Sequence, residues 1–231
     1  MYQLKINEIS IDVIKKDIKN IHLSVHPPTG RVRISAPLGV NEDTIRLYAI
    51  SKIGWIKRHQ KNFMNQERQT QREFKERESH YFQGKRYLLR IKETKGAGYV
   101  KLRSKTYLDL YARKDSTLET RNHILREWYR SELKKLLPEI IDKWEKKLGV
   151  NVSFWRIRLM KTKWGSCNIE EKRLLFNLEL AKKPFHCIEY IVLHEMLHLI
   201  ERKHSERYHD MLDRFMLNWK FIQKELNEYV L

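Results

Sequence analysis

Long apolar runs are what this chain of 231 residues most plainly lacks: no stretch approaches the ~18 consecutive apolar residues of a membrane-spanning helix. The opening MYQLKINEIS has neither the basic start nor the apolar run of a secretory signal, so the expected location is the cytosol. Cysteine is nearly absent. Cys167 and Cys187 stand in no CxxC spacing and read as small packing residues in a reducing compartment, not as a disulfide or redox pair. There is no GxxxxGK[ST] phosphate loop, and no sequence repeat with a period of about 20 to 50 residues. Acidic residues are in deficit, 29 against 47 Lys and Arg, for a formal charge of +18. That surplus makes attraction to nucleic acid, nucleotides or anionic surfaces physically reasonable without making any of them specific.

What is present is enough to fold. With 41% hydrophobic and 11% aromatic residues the chain can bury a substantial core, and its length suits one large domain or two modest ones. Ile21, Leu23 and Val25, then Val32, Ile34 and Ala36, alternate on either side of Pro27, Pro28, Thr29 and Gly30, which predicts a β-hairpin. Asn41 can cap a helix whose apolar positions Ile45, Tyr48, Ala49, Ile53 and Ile56 recur at steps of three and four, with Trp55 at its end. From Lys57 to His80 the sequence is too polar to bury a face, and we place the boundary between two modules there: 1–75, a hairpin and helix, and 76–231.

Strand patterns return at 81–91 and 99–111. A long apolar stripe then runs from Ile124 to Leu148, with Pro138 expected to kink the helix and Gly149 to cap it. Strands around 152–160 and 174–180 flank the segment Lys161–Asn168, in which Trp164, Gly165, Ser166 and Cys167 read as a turn with Gly165 free to take a positive φ. Two helices finish the chain, giving an α+β fold. Asn177, in an otherwise apolar strand, needs a hydrogen-bond partner if buried, and support of a metal ligand is one option.

The first of those helices, starting near Pro184, is apolar around most of its circumference yet carries His194, Glu195 and His198. Histidines four apart on a helix project from one face and can share an ion. This is the HExxH spacing, in which two neutral imidazoles hold Zn²⁺ and the carboxylate between them takes a proton from an activated water. Buried ionisable side chains so close together need pairing, and one cation pairs all three. A third protein ligand must lie downstream, where Glu201, His204, His209 and Asp210 are candidates. His204 is favoured, because Ser205 reads as the N-cap of the last helix and places His204 in the bend before it. Tyr208, His209 and nearby Arg or Lys side chains are candidates for steadying a developing oxyanion.

The stretch VLHEMLHLIERKHSERYHDML resembles the metal-binding region of the YgjP-like metallopeptidase family, relatives of the WLM and SprT-type zinc proteases. A second stretch, KTKWGSCNIEEKRLLFNLEL at 161–180, resembles that family's tryptophan-glycine-serine-cysteine segment and the strand after it. The resemblance implies a minimal zincin-like core, with the helix beside a small antiparallel sheet. It also implies that His194, His198 and His204 are zinc ligands and Glu195 the catalytic glutamate. The expected activity is therefore a zinc-dependent metallopeptidase acting on peptides or proteins. Two other readings are a metal-dependent nucleoside triphosphate phosphohydrolase of pyrophosphatase type, and a basic nucleic-acid-associated module with a structural metal.

Overall fold

The computed structural model describes residues 2–26, 29–65 and 72–228. Pro27, Pro28 and part of the polar segment, residues 66–71, lie outside them. The chain divides into two compact units, residues 1–68 and 69–229.

In the first unit the strands β1 (Tyr2–Ile6), β2 (Ile9–Lys16), β3 (His22–His26) and β4 (Arg31–Pro37) form one sheet in the order β1-β2-β4-β3. The expected hairpin is β3 and β4, but β4 also pairs with β2 in parallel, so the hairpin is half of a mixed sheet. Alternation puts Ile11, Val13, Val32, Ile34 and Ala36 on its buried face. Asp12, 4% exposed, lies on the other side of the pleat and is held by Arg31 and Gln3. The helix after Asn41 is two helices, α1 (Glu42–Ser51) and α2 (Ile53–Asn65). Asn41 caps α1 by accepting from Thr44 N at 2.8 Å, and Lys52 closes it with a tight bond to Ala49 O.

The second unit opens with β5 (Ser79–Phe82), β6 (Lys85–Glu93), β7 (Tyr99–Leu102) and β8 (Tyr107–Ala112), ordered β5-β6-β8-β7 with β6 and β8 parallel. This is the connectivity of the first sheet over again, and here too a helix follows. The chain thus repeats a four-strand-and-helix topology that leaves no sequence signature, because alternating burial can be met by many different apolar residues. The following helix α3 (Leu118–Leu148) runs unbroken through Pro138 and ends at Gly149 in the left-handed conformation, φ +65°. Its buried stripe, from Leu125 and Tyr129 through Leu133, Leu137 and Ile141 to Trp144, forms much of the core.

The third sheet holds β9 (Phe154–Arg158), β10 (Gly165–Asn168) and β11 (Arg173–Asn177) in the order β10-β11-β9. It is mixed, not antiparallel as expected: β9 runs parallel to β11, and β10 antiparallel. The Trp-Gly-Ser-Cys stretch is therefore largely a strand, and Gly165 is not at positive φ. A 3-10 turn (Leu178–Lys182) leads into α4 (Phe185–Leu197), followed by α5 (Glu206–Phe215) and α6 (Trp219–Glu228). The expected single last helix is broken between Phe215 and Trp219, so three helices finish the chain.

Candidate metal centre

α4 is buried beyond its first turn because most of its circumference is apolar: Cys187, Ile188, Val192, Leu193, Met196 and Leu197 are fully inaccessible. His194 and Glu195 sit in its last turn, and His198 is its C-cap, still with helical backbone at φ −64° and ψ −18°. The chain then bends through 199–204 and restarts at Ser205, whose hydroxyl accepts from Tyr208 N. That bend returns His204 over the end of α4. The imidazole centroids lie 5.1 Å apart for His194 and His198, 5.0 Å for His194 and His204, and 4.8 Å for His198 and His204.

One donor atom from each ring falls within 4.8 Å of the other two, a group that could hold a metal ion. The remaining contacts fit that use. His198 Nδ1 donates to Glu201 O at 3.1 Å, which leaves its Nε2 lone pair free. His194 Nε2 and His204 Nε2 face each other at 3.2 Å. Two nitrogens about 2.0–2.1 Å from one tetrahedral ion stand roughly 3.3 Å apart, so the spacing suits a shared cation. His194 Nδ1 is buried without a partner. Among the other third-ligand candidates, Glu201 turns its carboxylate back to Lys203 N, and His209 stacks on Trp219 at 5.6 Å. Asp210 is exposed on α5, and none of these three joins the group.

Tyr208 is fully buried, stacks on the His198 ring at 4.9 Å and donates its hydroxyl to His194 O at 2.9 Å. Its proton is committed to bracing α4, which corrects the expectation that it could steady an oxyanion. Asn177 also has a different task from support of a ligand. Its amide nitrogen donates to Met160 O at 2.8 Å and Lys163 O at 2.7 Å, and its oxygen accepts from Met160 N and Glu179 N at 3.2 Å each. Asn177 thus ties down the loop that leads into β10. Asn177→Leu should strand these four backbone groups and cost about 3 kcal/mol or more, read as a lower urea midpoint at unchanged slope.

Three further features depend on contacts between distant segments. Lys163, Arg173 and Arg202, far apart in the chain, line with Trp164 and the histidines a cleft of about 1070 Å³. The outer edge of β10 lines it too. Elsewhere, His186 Nε2 donates to the Glu225 carboxylate at 2.7 Å and the Cys187 thiol bonds the same group, clasping α6 to the first turn of α4.

Burial pushes the Glu195 carboxyl up to about 8, partly offset by Lys163. Burial, with the neighbouring imidazoles, brings His194 down to about 3 and also lowers His204. Neutral imidazoles are what a metal needs. The metal-free protein should therefore have a distinctive pH dependence. His194 and His80, the latter lowered to about 4 by burial, bind protons better unfolded, so they raise stability as pH climbs, an effect that fades as pH passes about 6.5. Glu195 binds its proton better folded and lowers stability from 4.5 up to about 8. As pH nears 8 the second effect outweighs what remains of the first, so stability should fall there and should not fall in Glu195→Gln. Urea titration of chelated protein reads this directly.

The family model described as "YgjP-like, metallopeptidase domain" matches residues 19–229. No curated protein matches the chain. Among solved structures, the chain is similar to the metallopeptidase zymogen jannalysin of Methanocaldococcus jannaschii, at 22% identity and a TM-score of 0.35, over 38% of this chain and 91% of that one. It is also similar to the metallopeptidase zymogen abylysin of Pyrococcus abyssi, at 17% identity and a TM-score of 0.36, over 38% and 90%. The family match spans most of the chain, and the chain belongs to the YgjP-like family, whose metallopeptidase domain it carries.

Proposed function

We propose that residues 76–231 form a zinc-dependent peptidase in which His194, His198 and His204 hold the ion and Glu195 is the general base. The observation that carries this is the convergence of three imidazole donors at the end of α4, with a buried carboxylate between two of them in sequence. A zinc ion bound there supplies the positive charge that makes a water acidic near pH ~7 and polarises a carbonyl. Glu195 then takes the water's proton and delivers it to the leaving nitrogen. Its burial makes the carboxylate a stronger base, which favours the first half of that cycle. Tyr208 holds the His198 ring and the end of α4 in place. The open edge of β10 along the cleft suits an extended peptide, which can add to such an edge through its backbone.

A phosphohydrolase acting on nucleoside triphosphates is the second reading, favoured by the cations Lys163, Arg173 and Arg202 in the same cleft. Incubating the zinc-loaded protein with casein-like peptides and with nucleoside triphosphates separates the two. Peptide cleavage by the wild type, absent in Glu195→Gln, is the expected result. Nucleotide hydrolysis lost in the same variant, with peptides untouched, would transfer the site to the second reading.

A further inference from the structure

Gly165, the first residue of β10, is buried, and its backbone conformation is one any residue can adopt. Glycine is needed there for another reason. A methyl group built on Gly165 would lie 2.5 Å from Glu195 Oε1, 2.6 Å from its Cγ and 2.8 Å from its Cδ. Real contacts of this kind essentially never come under 3.0 Å. The clash involves the stem of the side chain as well as its tip, so rotating the carboxylate alone would not relieve it. All three nearest atoms belong to Glu195, which is 6% exposed.

Neither backbone can withdraw. Gly165 is in register with the buried Phe176 on β11, and the carbonyl just before it, Trp164 O, accepts from Asn177 N at 2.9 Å. On the other side, Leu193, Met196 and Leu197 anchor α4 in the core. Among the described residues no hydrogen bond to the Glu195 carboxylate is present, so contact with the strand is what restrains its rotamer.

We infer that Gly165 is a positioning residue: the bare Cα of the first β10 residue is the seat on which the Glu195 side chain rests, and any side chain at 165 would lift the carboxylate out of place. This rests on the reading of Glu195 as the proton acceptor only for its kinetic consequence. The seat itself can be tested without activity. In chelated protein, Gly165→Ala should lower Tm by several degrees in the wild-type background and by almost nothing beside Glu195→Ala, where the obstructing side chain is gone. With zinc, Gly165→Ala should keep the ion and its KM within about twofold while kcat falls tenfold or more. Pairing it with Glu195→Asp, whose stem is one methylene shorter, should make the alanine's cost in kcat several times smaller. Equal Tm losses in both backgrounds, or none in either, would overturn the seat. Coupled Tm losses without peptidase activity in any form would leave the seat standing and remove the peptidase reading.

Discussion

Glu195→Gln is expected to abolish detectable hydrolysis, a loss on the order of 10²–10⁴-fold in kcat, while the protein keeps its metal and folds at least as well as the wild type. The side chains are nearly isosteric, so the glutamine should rest on Gly165 as the glutamate does. What changes is proton transfer, since an amide cannot accept the proton of an attacking water. Stability should rise in the metal-free form at every pH above about 4.5, because burial no longer works against a carboxylate. Elemental analysis, steady-state kinetics and a urea titration on one preparation check all three. Activity within a few-fold of wild type would mean that another group handles the proton.

Replacing a histidine should have the opposite pattern, with metal lost first. His194→Ala, His198→Ala and His204→Ala each remove one of three donors and should weaken zinc binding by at least ~10²-fold, more than loss of a supporting hydrogen bond does. His204→Ala is the most informative. His204 is exposed and lies in a bend, so its removal should leave the metal-free fold unchanged while affinity falls. His194→Ala also opens a hole in a buried helix face, and its metal-free Tm should drop. Retention of zinc by His204→Ala would return the third position to Glu201, His209 or Asp210.

Much of the site can be read in the sequence because it is local. A helix turn fixes the relation of His194 to His198, and a capping serine marks where the next helix starts, which leaves His204 in the bend between. The family resemblance then singles out the same residues. The parts that could not be read depend on contacts between distant segments. Gly165 looks like a turn glycine in the sequence, and only the approach of Glu195, thirty residues on, shows that it serves space and not backbone conformation. The need of a buried Asn177 for partners is visible in the sequence, but the loop that supplies them is placed by tertiary structure. The cations of the cleft come from three segments.

The same division holds for the fold. α3 is legible because its apolar positions repeat over many turns and a glycine closes it. The pair β1 and β2 is harder to read, although Leu4, Ile6, Ile11 and Val13 alternate. Its turn uses Asn7 at φ +52° and lacks the glycine that usually marks a hairpin. Parallel pairing of β2 with β4 and of β6 with β8 depends on crossovers that strand periodicity does not encode. The repeated topology followed from those pairings and stayed hidden with them.

The most direct test of the account is anomalous diffraction at the zinc edge, from crystals of protein purified without added metal. One peak is predicted, about 2.0–2.1 Å from a ring nitrogen of each of His194, His198 and His204. No peak there, with His194 and His204 joined by a direct hydrogen bond between their rings, would contradict it.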